Sequence, residues 1–464
     1  MDRCSGQGCS GSPLPPYHYI RKHRWAIKLN FLSGITLVPW LTLLFRHGHS
    51  IDWLTYPHRV LFLSFMAVVN TFMAFFDWLL FSRAIAAQPL HPEPVFILGH
   101  PRTGTTHIHN LLANDPRFAF ATTFHAGFPS SFLSLEPARG LLSGLLERQR
   151  PMDNMALHWD LPAEDEIAVN LLTGGDSPYL ALVFPRLWRP LLRSYLTFGA
   201  SGQTGTVHSV SGERGGGAEP AREREQVLVV PREAGSDNKP VSEATDDPRV
   251  SAAFRRWLAA FTWFMRKVTY RYVRTNRVRN RNHNQRGQHG VSHGDQAPQP
   301  PMLLIKSPVH TARLGIWLRL YPRARFIFIH RHPLEVFQSA ANMADTYYWY
   351  TYLQRPTDQV TNDFIMDQYD IMYKSYMSER ERVPAGRLVE VGFSELESDP
   401  LGVLRRIYHQ FGWDEQYDML TSRFRSYVVS LADFKKNHFN SLSPDVEAVI
   451  RERWAESSKA LGYT

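Results

Sequence analysis

Eight residues, Gly99-His100-Pro101-Arg102-Thr103-Gly104-Thr105-Thr106, follow a four-residue apolar run from Val95 to Leu98. After them Ile108, Leu111 and Leu112 have helical spacing. A buried strand, a glycine-bounded loop and a helix N-terminus together make an anion cradle, where free backbone N–H groups and the positive end of the helix dipole converge. The two glycines fit an ATP-binding loop, G-x-x-x-x-G-K-[ST], but Thr105 stands in the lysine slot and Thr106 adds a second hydroxyl. The loop's one cation is Arg102, before the second glycine. A nucleoside triphosphatase needs that lysine on its β- and γ-phosphates with magnesium beside it. This loop is made for an anion of another kind.

Two further apolar runs end in basic or hydroxyl residues. Met302 to Ile305 leads into Lys306-Ser307-Pro308-Val309-His310, and Arg325 to Ile329 leads into His330-Arg331-His332-Pro333. Pro333 is well placed as a first helical residue. Where a triphosphatase would hold magnesium with a carboxylate, the second run ends in bases. Each strand is followed by a helical period, and further helices over about 361–382 and 399–411 flank a strand at 387–391. That alternation predicts an α/β fold of P-loop type, three layers around a mostly parallel central sheet. Ligands bind such sheets at the carboxyl ends of the strands, so loops 99–106, 306–310 and 330–333 are expected to gather there. Phe118 to Phe124 reads as another strand. Pro162-Ala163-Glu164-Asp165-Glu166 opens an apolar run through Leu172. Its acids suit a helix N-terminus, by about 1 kcal/mol.

These motifs resemble those of the sulfotransferases that use 3′-phosphoadenosine 5′-phosphosulfate (PAPS). Their phosphosulfate loop reads G-x-P-[RK]-[ST]-G-T-T, matched throughout by residues 99–106. Their second signature places an arginine at a strand end and a serine eight residues on, against the 3′-phosphate; Arg331 and Ser339 have that spacing. A guanidinium offers a planar fork to a phosphate and the hydroxyl adds a donor. Lys306 corresponds to the family's lysine on the bridging oxygen of the leaving phosphate. His310 stands four residues after it, in a Lys-Ser-Pro-x-His pattern similar to the bacterial and algal branch rather than the cytosolic members. The likeness covers about 94–125 and 302–412. It implies PAPS as co-substrate, bound by Arg102, Thr103, Gly104, Thr105, Thr106, Arg331 and Ser339, and no metal. It also implies catalysis by Lys306, with His310 preferred as the base because it shares a strand-end loop with Lys306, and an acid, Glu164 or Glu166, as the alternative.

The 464 residues allow one large or two modest domains, and 44% hydrophobic and 13% aromatic residues mark a globular chain. A net charge of +9 suits a polyanionic ligand, a membrane surface or nucleic acid. Both cysteines, Cys4 and Cys9, precede the catalytic region, which argues for a reducing compartment. Phe31 to Phe45 is apolar but short and broken by Pro39, whereas Leu61 to Phe81 has about the ~20 residues of a membrane span. Residues 1–90 are therefore expected to be a tail plus an apolar, membrane-associated helical region, and 91–464 the sulfotransferase domain. A single span, a two-segment hairpin and a pair of helices packed on the domain all fit, with the cytosol and the Golgi lumen both open as the facing side. Tracts 199–249 and 275–300 lack an apolar period and read as disordered insertions around an amphipathic helix at 254–272. The second tract lacks the interleaved aromatics of a single-strand binder, so no nucleic-acid partner is expected. The expected acceptor is a small molecule or lipid alcohol, with a carbohydrate as the alternative. Outside the class stand a P-loop kinase or ATPase and a membrane-anchored scaffold.

Overall fold

Strand β1, Val95–Leu98, is the middle of a five-stranded parallel sheet in the computed structural model of the protein. The structure describes residues 17–19, 23–147, 149–198, 251–285, 299–432, 439 and 441–463. Cys4, Cys9, Arg21, Lys22, the 199–249 tract and Lys435 to His438 lie outside the described residues. The other strands are β2 (Phe118–Ala119), β3 (Met302–Lys306), β4 (Arg325–His330) and β5 (Leu388–Gly392), in the order β2-β3-β1-β4-β5. Val95 pairs with Leu304 on one side and Arg325 on the other. Successive side chains of β1 enter opposite layers, as strand geometry requires. Val95 and Ile97 pack with Ile108, Leu111 and Leu404, and Phe96 and Leu98 with Trp257, Phe261 and Trp317. A parallel sheet apolar on both faces needs helices on both, and the three-layer α/β architecture follows.

Two local expectations change. β2 stops after Ala119, because Thr122 caps a short helix, Thr123–Gly127, by accepting the His125 N–H. The helix begun at Ala252 runs to Gln285, into the tract expected to be disordered. No glycine or proline interrupts 252–285, and the first breaker is Gly287. The final helix divides at Trp454 into Pro444–Arg453 and Ala455–Ala460.

At the N-terminal side, helix α1 (Leu37–His47) and helix α2 (Pro57–Ala86) pack on the domain. Pro39 sits in the first turn of α1, where a missing N–H costs nothing. Trp40, Leu43, Val60 and Leu63 share a core with Leu180, Phe184, Trp188 and Phe337. Among the described residues α2 alone has the length and hydropathy of a membrane span, yet a third of that window is buried in the protein.

Candidate active site

Helix α3, Thr105–Leu112, begins where the loop after β1 ends. The chain must turn sharply and approach its neighbours closely to do this. Gly99 has φ 144° and a Cβ there would meet the Ile329 carbonyl oxygen at 2.5 Å; Gly104 has φ 97° and a Cβ would meet the Phe393 ring at 2.4 Å. Only glycine fits either position. Arg102 adopts φ 78° without that freedom, the kind of strain that clusters at ligand clamps. Thr103 is buried and its hydroxyl donates to the His100 carbonyl at 2.8 Å, so it shapes the loop. Thr105 and Thr106 open the helix and face a cavity.

Arg102, Ser339 and Arg331 come together from three elements. Arg102 Nε donates to Ser339 Oγ at 3.0 Å, and Ser339 is buried on the helix Pro333–Thr346 that follows β4. Arg331 Nη1 points to the Arg102 carbonyl at 3.5 Å, with its guanidinium over the Phe393 ring at 4.5 Å. Arg102 Nη1 donates to Asp153 at 3.0 Å, and Arg150 reaches the same carboxylate at 3.3 Å. Burial pulls the Asp153 carboxyl up, but Arg150 and Arg102 outweigh it and hold the group below the ordinary carboxylate range.

Lys306, at the end of β3, is nearly buried. Its Nζ donates to Glu164 Oε1 at 2.8 Å and lies 3.4 Å from Thr106 Oγ1. Glu164 stands just before the helix Asp165–Thr173, and its carboxylate also accepts from the Tyr179 hydroxyl. Burial would raise its carboxyl, yet Lys306 and Tyr179 keep it lowered from the usual value. Burial lowers Lys306 too, against the raising effect of Glu164. Arg150 completes the group, with Nη1 3.4 Å from Thr106 Oγ1.

His310 does not join them. It is fully buried behind the site, its Nε2 2.8 Å from Asp165 Oδ2 and its ring edge-on to Trp317 at 4.8 Å. Asp165, Glu166 and His310 have metal-ligand proximity, within 4.8 Å of one another. Every carboxylate oxygen there already has a protein donor. Ser307 and His310 serve Asp165, and Trp257 with a two-pronged Arg313 serves Glu166. The trio locks the Asp165–Thr173 helix to the turn after β3.

Arg102, Thr105, Thr106, Arg150, Glu164 and Lys306 crowd one end of a cavity of about 260 Å³. Its remaining walls are mostly apolar, with Leu29, Phe31, Phe128, Trp159 and Met343 among them. Reading the sequence missed Arg150, Asp153 and Tyr179. Arg150 and Asp153 share one turn beside Pro151 with nothing to separate them from surface charge, and Tyr179 is one of 19 tyrosines.

A profile of the sulfotransferase family matches residues 94–169 and 217–417, more than half the chain. The omega-hydroxy-beta-dihydromenaquinone-9 sulfotransferases Stf3 of Mycobacterium bovis and Mycobacterium tuberculosis are each 27% identical to it over 443 residues, 96% of this chain and 93% of theirs. Two solved structures share the fold at 14% identity. Sulfotransferase STF9 from Mycobacterium avium aligns with a TM-score of 0.54 over 96% of this chain and 99% of its own. Sulfotransferase STF1 from Mycobacterium tuberculosis gives 0.51 over 90% of each.

Proposed function

The chain belongs to the sulfotransferase family, and we infer that it transfers a sulfuryl group from PAPS to the hydroxyl of a lipid alcohol. The observation that carries this reading is Lys306, held between the first turn of α3 and the Glu164 carboxylate in the wall of a mostly apolar cavity. The donors suit a bisphosphate. Loop amides, Thr105 and Thr106 form one group, and Arg102, Arg331 and Ser339 another, with Glu335 paired to Arg331 and Asp153 to Arg102. The Asp153 carboxylate now accepts the Arg102 bond a phosphate would take, so Arg102 must exchange it on binding.

In the transfer, Glu164 removes the proton from the acceptor hydroxyl as that oxygen bonds to sulfur. The bond from sulfur to the bridging oxygen breaks, and Lys306 meets the charge that collects on that oxygen. Arg150, Thr105 and Thr106 add donors fixed before the reaction begins, the most effective form of electrostatic help. Glu164 is preferred to His310 because it touches Lys306 and lines the cavity, whereas His310 is spent on Asp165. Apolar walls favour a long-chain alcohol, and the Stf3 relatives are named for a hydroxylated menaquinone. Incubation with radiolabelled PAPS, long-chain primary alcohols and soluble sugars tests this. Label in the lipid fraction is expected. Label on sugars alone would overturn the acceptor, and absence of PAPS binding would overturn the donor.

A further inference from the structure

Helix α2 turns Arg59, Asn70 and Asp77 inward and, with α1, leaves a stripe of apolar side chains uncovered. Arg59 gives its guanidinium to the carbonyls of Ala26, Tyr352 and His23 at 2.7–3.0 Å. Asn70 donates to the carbonyls of Ser33 and Ile35 at 2.7 and 3.0 Å. Asp77 pairs with buried Lys267 at 2.6 Å and accepts the Leu133 and Ser134 N–H groups. α2 is therefore fastened to the domain near its start, middle and end.

The other face is the reverse. Leu61, Phe65, Val68, Phe72, Phe75 and Trp78 recur every three or four residues and are 51–71% exposed. They make one stripe about 26 Å long. The only ionisable residue of α2 between Leu61 and Leu80 is Asp77, which is buried. Trp40 Nε1 to Ser64 Oγ and Leu37 N to Thr71 Oγ1 hold α1 alongside, adding exposed Val38, Leu41 and Phe45 to the same ridge. An uncovered apolar surface of this extent marks an interaction site.

Cations stand at both ends. Exposed Arg24 lies at the start of α2, where its carbonyl meets His58 and its guanidinium covers exposed Trp25. Exposed Arg83 and Arg274, the latter over Phe81 at 4.9 Å, lie at the other end. A two-fold copy packed antiparallel along the stripe would set arginine ends against each other, since an isologous contact matches each patch with itself. Anionic headgroups suit both ends at once. Crossing a bilayer would carry the domain that holds Arg59, Asn70 and Asp77 into hydrocarbon with α2.

We propose that this ridge lies in the plane of an anionic bilayer, sunk into one leaflet without crossing it. A lipid alcohol then reaches the cavity past the turn Phe31–Gly34, which packs on the inner face of α2 and supplies Phe31 and Ser33 to the cavity wall. The inference rests on the lipid-acceptor reading only for this substrate route.

Flotation of the full chain with vesicles of phosphatidylserine and phosphatidylcholine, compared with phosphatidylcholine alone, is the test. The protein should float with the anionic vesicles, less so at high salt, and be released by alkaline carbonate. The double variant Phe65→Glu/Phe72→Glu, altered only on the outward face, should partition about tenfold less or weaker still. It should keep its circular dichroism, its PAPS affinity and any transfer to a short water-soluble alcohol. Failure of the wild type to float, equal flotation of the variant, or retention in carbonate would each overturn the in-plane seat. So would a dimer that the variant splits. Loss of PAPS binding or of transfer in both proteins, with flotation intact, would instead strike the proposed reaction.

Discussion

The two ends of the cavity are built in opposite ways. The polar end draws on residues in fixed local spacing: a loop between two glycines whose φ angles only glycine tolerates, and single side chains at the ends of β3 and β4. The apolar end is assembled from far-apart segments, including the turn Phe31–Gly34, the loop around Phe128, Trp159 and Met343. In the proposed reaction the polar end sets what is transferred and the apolar end what receives it. Charge and geometry make the first intolerant of change, whereas hydrophobic walls accept repacking at constant volume. Substitutions at the two ends should therefore differ in kind as well as size.

The largest effect is expected at the junction. Glu164→Gln keeps the shape and the Tyr179 contact but cannot take a proton, so turnover should fall by ~10²–10⁴-fold while PAPS affinity changes little. Single-turnover kinetics with labelled PAPS measure this. The pH profile carries the same information. The Glu164 carboxyl is held below its ordinary value, so the proton-accepting form persists down the acid range. The Glu164-linked acid limb should appear only as pH falls below about 4.3. An acid limb lying above that range and abolished in His310→Ala would reverse the assignment.

Away from the site, Asp77→Ala leaves Lys267 buried without its counter-charge, and breaking such a pair costs about 3–5 kcal/mol. Burial already lowers Lys267 to about 8, with Asp77 opposing that shift. Without Asp77 it falls further. The unfolded chain holds that proton up to about 10.4, so the variant's stability should rise with pH from its own lower value upward. The gap to the wild type should be full below the variant's Lys267 value and narrow as pH approaches that of the wild type. Urea denaturation across pH reads it; a constant gap would place the loss elsewhere.

Legibility follows the same division. Val95 to Thr106 could be read directly, because strand, glycine and helix signals lie in consecutive residues and leave one local geometry. β3, β4 and their terminal Lys306 and Arg331 were legible for the same reason. The short β2 was over-extended because FAFATTF has strand composition while the Thr122 cap ends it. The inward turn of Arg59 and Asp77 was hidden, since their partners are the Tyr352 carbonyl and Lys267, 293 and 190 residues away in sequence. Arg150 was hidden too: what makes it a site residue is Thr106, 44 positions earlier. Pairings at such separations are set by the packed fold, and no local period announces them.

Arg331→Ala should sharpen the polar end at smaller cost. Removing a charge-assisted contact to a phosphate is worth about 1.5–3 kcal/mol, so PAPS affinity should drop by roughly ten- to a hundredfold. The Arg331–Glu335 pair is partly exposed and adds little to stability, so the melting temperature should stay near that of the wild type. Unchanged affinity by isothermal titration would remove Arg331 from the phosphate site and leave Arg102 and Ser339 to hold it.

The smallest effect on turnover is expected at His310, in the core behind the cavity. The imidazole gives Asp165 its second partner and packs edge-on against Trp317 and Phe96, and it reaches neither Lys306 nor the cavity. His310→Ala would strand one oxygen of a buried carboxylate, a loss of about 1–3 kcal/mol of stability. That loss acts through the Asp165–Thr173 helix, which carries Glu164 at its N-terminus, so some misplacement of the base will follow at high temperature. At low temperature and saturating substrates the helix stays formed, and turnover should drop far less than the ~10²-fold or more that removing a general base costs. His310→Gln, which can still donate to Asp165, should restore most of the lost stability. A hundredfold fall in turnover for both variants, with melting temperatures intact, would put the proton on the histidine and make Glu164 the residue that only holds Lys306 in place.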